Sequence, residues 1–376
     1  MAQTIKNGIH TEDEYPPVLS SREIGKNERI IQLRKHFKLT YNQEPDFFVR
    51  VPGSIEVKKG VSPHWYNYFL CGVKGVLEVL NKDPVGMLVA VTGNIPLSSG
   101  LSSSSALVSA AALSTAYANK FNPLRSEDVR LPDGAVFVIA HSLAVLNKAK
   151  TSDFNCRVAE CRLASQLMAK KRGLSWEKIS TLAMLQTSLK ASFDDMVALV
   201  KEVLHEQPYT KDEICHELEV SEGVLDQLSL SNNTTHINQF KLHQRALHVY
   251  QEANRVKTFI EICKKSMEPQ DALCKLGELM RQSHESLQKL YECSHPNLDK
   301  LVELGEGKTL GSRLTGAGWG GCIVALTTKD SLDDYISTLK ENFYKDNNEA
   351  RDKKLETLIF ATEPNVGAEV FENEEI

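Results

Sequence analysis

The sequence predicts a mixed α+β protein built from two domains. An apolar, β-branched segment at 88–91 is followed by a loop of Pro, Ser and Gly and by a run of small and apolar residues at 107–117, which is typical of a strand, a loop and a buried helix. Residues 175–292 carry Leu, Val and Ile at three- and four-residue intervals, which indicates a long helical block. Short apolar runs on either side of this block predict an α+β layer of the split β-α-β kind. These runs are 135–140, 323–326 and 358–361.

Composition favours a cytoplasmic protein that acts on small molecules. The 376 residues, 41% hydrophobic and 25% charged, suffice for two globular domains, which we place at 1–131 and 132–376. A net charge of −5 without a Lys/Arg run argues against nucleic acid or an anionic membrane as partner. The polar N-terminus has no signal core, and no run approaches the roughly 20 apolar residues of a membrane span. Nothing indicates a stable oligomer, so we expect a monomer.

The eight cysteines are scattered and include no C-x-x-C pair. This spacing suggests neither a zinc site nor a disulfide framework. We therefore expect reduced and mostly buried thiols.

The remaining elements follow from local patterns. We expect a helix at 27–37 after a loosely held polar arm, and a strand at 47–53 that ends in a turn. A further helix begins near residue 62, with one apolar stripe that starts at Trp65. Another helix is expected at 155–172, and the acidic C-terminal tail is expected to be solvated. The stripe consists of Trp65, Phe69, Val73, Val76 and Leu80.

The serine-rich loop at 93–106 is the first candidate site. It leads into a helix, whose N-terminus presents unpaired backbone N–H groups and about half a positive charge. Gly100 lets the backbone approach a ligand, and the hydroxyls of residues 98–105 can donate hydrogen bonds or bind a metal ion. This arrangement favours a nucleotide phosphate. The alternative is an ordinary capped helix after a polar loop.

A second glycine-rich loop lies at 314–322. Its spacing Gly316-x-Gly318-x-x-Gly321 matches the dinucleotide fingerprint, but that fingerprint must open a helix, and this loop opens a strand. We therefore reject dinucleotide binding. Two glycine-rich loops could instead face each other across a phosphate.

These motifs together resemble those of the GHMP small-molecule kinases, and within them the galactokinases and N-acetylgalactosamine kinases. Residues 95–106 are similar to the phosphate-binding motif of the family, and residues 314–322 to its third, glycine-rich motif. The stretches 65–68 and 154–161 extend the resemblance, which runs from about residue 47 to the C-terminus.

The resemblance implies a two-domain GHMP-kinase-like fold, with a shortened N-terminal domain and a ferredoxin-like C-terminal domain that carries helical insertions. It implies transfer of the γ-phosphoryl group of ATP to the anomeric hydroxyl of galactose or N-acetylgalactosamine, with Mg2+ as cofactor. Ser104 would hold the magnesium ion, and Phe154 would lie beside the sugar, where a Tyr is common in galactokinases; this favours N-acetylgalactosamine, although a core Phe explains Phe154 equally well. The residues implied in ATP binding are Trp65, Pro96, Ser98, Ser99, Gly100, Leu101, Ser102, Ser103, Ser104, Asn147, Lys148, Gly316, Ala317 and Gly318. Trp65 also fits a helix cap or core position, and Asn147 and Lys148 also fit a solvated polar loop.

The chain departs from the family pattern at two places. Gly53 is followed by Ser54 instead of the signature that holds the sugar and supplies a catalytic Arg. Lys120 runs directly into Phe121 instead of a segment with the catalytic Asp. We therefore assign no catalytic residue, and we expect impaired catalysis and a destabilised N-terminal domain with exposed apolar faces.

Three functions remain open at this level. The chain is an ATP-dependent sugar 1-kinase, a non-catalytic galactokinase-like sensor or nucleotide-binding protein, or an artefact of gene prediction without a function.

Overall fold

The structure is a computed structural model that describes residues 65–80, 85–87, 89, 91, 95, 103–121, 129–144 and 152–364. The expected helix at 27–37, the strand at 47–53 and the acidic tail lie outside the described residues. The chain divides into two compact units, the first around the helices between residues 65 and 121 and the second comprising residues 95–102 and 127–367. The predicted domain boundary at 131/132 stays a prediction.

The first unit contains two described helices, α1 (Trp65–Leu77) and α2 (Ser103–Ala118). The two helices pack closely because Gly72 of α1 has no side chain. A Cβ atom at this position would lie 2.3 Å from the carbonyl oxygen of Val108. Leu70 and Val73 form a small core beside this contact.

Helix α2 ends in a left-handed cap. Lys120 has a φ of 49°, and the N–H of Phe121 donates to the carbonyl of Ala116 at 2.9 Å, which is the outer hydrogen bond of a Schellman motif. The side-chain oxygen of Asn119 accepts a hydrogen bond from the N–H of Val85 at 2.8 Å. The helix therefore ends shortly before the junction of Lys120 with Phe121.

Three expectations for this unit are wrong. Val89 and Val91, the described residues of the expected strand at 88–91, are exposed and lie in no strand, and the described part of this unit contains no strand to pair with them. Helix α2 is not fully buried, because α1 is the one described helix of the unit that packs on it. The stripe of α1 begins at Leu70, since Trp65 is exposed. The buried residues of α2 are Ala111, Thr115 and Ala116.

The second unit is built on a four-stranded antiparallel sheet. Its strands are β1 (Val136–His141), β4 (Gly311–Leu314), β5 (Cys322–Thr327) and β6 (Ile359–Thr362), in the spatial order β4-β5-β1-β6. Helices connect β1 to β4 and β5 to β6, whereas β4 and β5 are joined by the glycine loop. This is the ferredoxin-like topology that the resemblance implies, and the mixed α+β class is confirmed.

Alternating side chains of the sheet enter two cores. Val138 on β1 faces Ala325 on β5 across the ladder, and both belong to one core. Phe137 and its partner Leu326 belong to the other. This period of two is what a pleated strand requires when helices cover both faces of the sheet.

The helices of the second unit cover these faces and form a large insertion between β1 and β4. In chain order the helices are α3 (Asp153–Lys171), α4 (Leu182–Leu189), α5 (Phe193–Val203), α6 (Lys211–Leu218), α7 (Glu222–Ser229), α8 (Leu242–Lys264), α9 (Pro269–Ser286), α10 (Pro296–Glu303), α11 (Lys329–Leu339) and α12 (Leu355–Leu358). Helices α10 and α11 cover one face of the sheet, while α9 and the end of α8 cover the other. The insertion has its own core along α3 and α8 and a two-stranded ladder of β2 (Tyr209–Thr210) with β3 (Gln239–Phe240).

The helical block and the three predicted strands are confirmed, with ends shifted by a few residues. Strand β4 was not predicted, because its Gly-Ser-Arg-Leu sequence carries no strand pattern. All eight cysteines are free, as expected, but Cys71 and Cys274 are exposed and only three are fully buried. In the part of the chain that the structure describes, no helix is long and apolar enough to cross a membrane.

Helix α9 and strand β4 approach closely through two glycines, which generates a stability prediction. A Cβ atom on Gly277 would lie 2.2 Å from the carbonyl oxygen of Leu310. We expect Gly277→Ala to lower the free energy of unfolding by about 3 kcal/mol, because backbone cannot move aside as a side chain can. Urea denaturation measures this.

The control is Gly223→Ala in α7, where a Cβ atom meets nothing within 4 Å. This change should leave the free energy of unfolding unchanged or raise it by about 0.5–1 kcal/mol. Equal losses in the two variants would contradict the close approach of α9 and β4.

Candidate active site

The glycine loop, residues 315–321, has an unusual backbone. Gly316, Gly318, Gly320 and Gly321 all have positive φ, and so does Trp319, with a φ of 53°. Such conformations favour glycine and cost another residue about 1–2 kcal/mol. A loop with this concentration of left-handed residues is a candidate for function, because strain of this kind clusters at binding sites.

Two neighbouring segments hold the loop. The N–H of Trp319 donates to the carbonyl of Cys293 at 2.6 Å, and the N–H of Gly321 donates to the carbonyl of Ala144 at 2.9 Å. The space is tight, because a Cβ atom on Gly318 would lie 2.1 Å from the carbonyl oxygen of Cys293. Glycine is therefore required at position 318 both for its φ of 84° and for the room.

Two consecutive amides of this loop, those of Gly316 and Ala317, have no partner in the part of the chain that the structure describes, and Gly316 is exposed. Gly318, also predicted to bind phosphate, is buried, and its N–H closes the turn formed by Gly316 and Ala317. Gly316 and Gly318 have positive φ, and Ala317 between them does not. Alternation of this kind is found in the backbone nests that bind anions. The loop therefore has the donor set that a phosphate requires.

Beside the loop lies a cluster of charged side chains, the arginine cluster: Arg157 and Glu160 on α3, Arg245 on α8, and Glu292, of which Glu160 and Arg245 are fully buried. The Nε of Arg245 donates to Glu160 at 2.8 Å, and Nη1 of Arg157 donates to the same carboxylate oxygen at 3.1 Å. The side chains of Arg245 and Glu160 are 2% and 3% exposed. Burial opposes the charge of Arg245, but Glu160 and Glu292 outweigh it and raise the pKa of Arg245. Removing one partner from such a pair typically costs about 3–5 kcal/mol.

The two arginines of the cluster bind consecutive backbone carbonyls after helix α9. Arg245 Nη1 donates to the carbonyl of Leu290, Arg157 Nε donates to that of Tyr291 at 2.6 Å, and Arg157 Nη2 donates to that of Glu292 at 3.2 Å. The next carbonyl, that of Cys293, accepts from the glycine loop. The carbonyls of Leu290 and Tyr291 belong to the end of a π-turn at Leu287–Tyr291, and those of Glu292 and Cys293 follow it. Such a helical irregularity is common at functional sites.

The guanidinium of Arg157 also contacts the loop directly. Its Cζ lies 5.8 Å from the ring centroid of Trp319, within the distance of a cation–π interaction. Arg157 thus contacts both the glycine loop and the segment to which that loop is hydrogen-bonded.

A pair of histidines supports the same region from α8 and α9. His284 Nδ1 accepts the N–H of Leu314 at the end of β4 at 3.3 Å, and its Nε2 lies 3.3 Å from Asp299. His248 Nδ1 lies 2.8 Å from Ser286 Oγ, and its ring packs on Tyr291. Burial lowers the pKa of both histidines, that of His248 to about 4. Both rings are therefore neutral near pH 7.

Two of the predicted phosphate-binding residues lie in the described part of the first unit. Ser103 and Ser104 form the first turn of α2 and are half-buried, and the hydroxyl of Ser104 has no hydrogen-bond partner among the described residues. Trp65 begins α1 with its side chain 42% exposed, which does not fit a core position. The predicted residues Pro96, Ser98, Ser99, Gly100, Leu101, Ser102, Asn147 and Lys148 lie outside the described residues.

The second unit places the predicted sugar residue on the helix of the arginine cluster. Phe154 lies in the first turn of α3 and is 42% exposed, which argues against the core-packing alternative. Arg157, which lies one turn further along α3 and contacts the glycine loop, was not singled out from the sequence. The signals were present, since Arg157 lies in the stretch 154–161 and Trp319 is the only aromatic residue within the glycine loop.

Comparison with known proteins agrees with these motifs. The family model for the GHMP kinases N terminal domain matches residues 67–144, and the model for GHMP kinases C terminal matches residues 270–345. A galactokinase of Dictyostelium discoideum is 34% identical, with 81% of this chain and 74% of that protein covered. The chain belongs to the GHMP kinase family.

Other relatives of this GHMP kinase carry the same name. A galactokinase of Candida albicans is 28% identical, with 75% of this chain and 71% of that protein covered. The crystal structure of Lactococcus lactis galactokinase complexed with galactose aligns with a TM-score of 0.45 and 20% identity, covering 81% of this chain and 76% of that one. The predicted family and the class of sugar kinase, a transferase, are confirmed.

The packing of the glycine loop in this GHMP kinase generates a second stability prediction. We expect Gly318→Ala to cost about 1–2 kcal/mol for its positive φ and about 1–3 kcal/mol more for the contact with Cys293. Gly307→Ala is the matched control, because Gly307 has a φ of 72° but nothing within 4 Å of its Cβ position. Urea denaturation of both variants should separate the two costs; a Gly318→Ala loss no larger than that of the control would contradict the close approach.

The buried His248 generates a pH prediction. Its pKa lies near 4 when folded and near 6.5 when unfolded, because burial and the charges of Arg255, Arg313 and Arg245 outweigh the attraction of Glu252. The unfolded chain therefore binds a proton that the folded chain excludes, and stability falls as pH falls through this window. We expect a contribution of about 2 kcal/mol between pH 6.5 and pH 5.

The measurement is the free energy of unfolding in urea at these two pH values, compared between the wild type and His248→Gln. The variant should lose part of the pH dependence, while His284 still contributes with the same sign. His216→Gln, at an exposed position, controls for the loss of a histidine. An unchanged pH dependence in His248→Gln would refute the assignment.

Proposed function

We propose that this GHMP kinase is an ATP-dependent sugar 1-kinase whose sugar is galactose or N-acetylgalactosamine, and that its catalysis is impaired. The observation that supports the reaction class most directly is the glycine loop, in which two amides have no partner among the described residues, in a chain 34% identical to a protein named galactokinase. Phosphoryl transfer depends mainly on positioning and charge stabilisation, so backbone donors of this kind are suitable parts.

The residues of each unit, considered separately, suit a nucleotide or its metal ion. In the second unit the amides of Gly316 and Ala317 would bind phosphate oxygens. In the first unit the hydroxyl of Ser104 would serve as one oxygen ligand of Mg2+. The described residues include no group of three or more His, Cys, Asp or Glu side chains able to hold a metal. Phosphate oxygens and water would therefore supply most ligands, which is usual for Mg2+ in such sites.

The sugar assignment depends on Phe154. Its exposed ring at the start of α3 could pack against a sugar face, and a Phe in place of Tyr favours N-acetylgalactosamine. The relatives named galactokinase favour galactose. We keep both sugars in the proposal, together with the expectation of a cytoplasmic monomer.

The impairment rests on the two departures from the family pattern. Ser54 follows Gly53, and Phe121 closes the cap of α2 immediately after Lys120, so no catalytic Arg or Asp is assigned. The exposed small-residue face of α2 agrees with a shortened first domain. These observations also favour a second candidate, a non-catalytic sensor that binds nucleotide or sugar.

A coupled kinase assay with each sugar tests the proposal. We expect a nucleotide-dependent increase of the melting temperature but a turnover far below that of an intact relative such as the Dictyostelium galactokinase. Ser104→Ala should weaken magnesium-dependent ATP binding, whereas Ser109→Ala, at an exposed position of the same helix, should not.

The outcomes separate the candidates. Turnover comparable to that of the intact relative would refute the impairment. Nucleotide or sugar binding without any turnover would favour the sensor. A melting temperature that ATP leaves unchanged, both with and without magnesium, would refute the nucleotide site.

A further inference from the structure

The arginine cluster and the glycine loop share one residue, Arg157. Each of the three nitrogen atoms of the Arg157 guanidinium donates a hydrogen bond: Nη1 binds Glu160, while Nε and Nη2 bind the carbonyls of Tyr291 and Glu292. The guanidinium carbon also lies over the ring of Trp319. A planar fork with five donors can make these contacts at once, whereas a lysine ammonium cannot.

The contacts of Arg157 form a short connected path to the loop. Arg157 fixes the carbonyls of residues 291 and 292, the next carbonyl at Cys293 accepts from the N–H of Trp319, and Arg157 covers the ring of the same tryptophan. Trp319 is thereby held at its main chain and at its side chain. It is also the one residue of the loop other than glycine with a positive φ, so it needs this restraint.

The base of Arg157 is rigid. Glu160 accepts from Arg245 and Arg157 through one oxygen and from the N–H of Lys241 through the other, at 2.8 Å. Glu292 accepts from Arg245 at 2.9 Å and from Lys241 Nζ at 2.6 Å. Helices α3 and α8 therefore fix the orientation of Arg157 independently of the loop.

We propose that Arg157 is a positioning residue that holds the amides of Gly316 and Ala317 in their anion-binding arrangement through Trp319 and the 291–293 carbonyls. This proposal rests on the proposed function for the role of those amides, but the restraint of the loop is a separate claim. Arg157 also lies one turn from Phe154 on α3. The same helix thus positions the phosphate-binding loop and the proposed sugar contact.

The experiment compares Arg157→Met with Arg162→Met. Arg162 lies on the same helix and donates to the carbonyl of Ser229, away from the loop. Amide hydrogen exchange of a peptide spanning 315–321, measured without nucleotide, should accelerate at least tenfold in Arg157→Met and less than twofold in Arg162→Met. Equal exchange in the two variants would overturn the proposal.

Two further variants keep the test informative if Arg157→Met does not fold. Trp319→Leu removes the ring contact but leaves the arginine cluster intact, and should accelerate the same exchange severalfold. Arg157→Lys keeps the charge beside Glu160 but loses the planar guanidinium group. It should therefore retain only part of the protection from exchange that the wild type shows. Wild-type exchange in Trp319→Leu would overturn the role of the ring.

The functional arm measures ATP affinity by calorimetry in the same variants. Arg157→Met should weaken ATP binding at least tenfold, with Arg157→Lys intermediate and Arg162→Met unchanged. A loosened loop with unchanged ATP affinity would overturn the positioning role. Absence of ATP binding in the wild type would instead refute the proposed function, while the exchange data would still decide whether Arg157 restrains the loop.

Discussion

The buried ion pair between Glu160 and Arg245 is the contact on which the second unit depends. It joins α3 to α8 in a place where neither side chain reaches water, and such a pair is tolerated only when every donor and acceptor is used. Hydrogen bonds that involve Arg157, Lys241 and the backbone carbonyls after α9 meet this requirement. One electrostatic requirement thus connects the helical insertion to the segment that borders the glycine loop.

The glycine loop illustrates a second constraint, the lack of space. Gly318 cannot carry a Cβ atom because the carbonyl of Cys293 lies where that atom would be, and Gly277 and Gly311 exclude side chains at the contact of α9 with β4 for the same reason. Backbone approaches backbone at these points, so the position of the loop is determined by main-chain contacts. Loops held in this way keep their shape without a ligand, which reduces the ordering cost of binding.

The first unit presents the opposite situation. Helix α2 is rich in Ala and Ser, which suits a helix covered on several sides, yet only three of its residues are buried and its described contacts are made with α1. Exposed Val89 and Val91 lie nearby in the chain and pair with no strand among the described residues. Apolar residues without cover in the described part of this unit agree with the shortened first domain that we propose, and they explain why instability is expected here and not in the well-packed second unit.

The sequence by itself determined the mixed class, the family, the helical block, the chain positions of three of the four sheet strands and the presence of a glycine loop before a strand. Periodicity and glycine spacing are local properties, so they can be read without the fold. It did not reveal strand β4, whose short sequence becomes a strand only by pairing with β5. It did not reveal the exposure of Trp65 and α2, which depends on the elements that surround them. Only the tertiary structure brought Arg157 to Trp319 across 162 positions of sequence, since the contact depends on the packing of α3 against α8 and on the carbonyls of a π-turn, neither of which leaves a periodic signal.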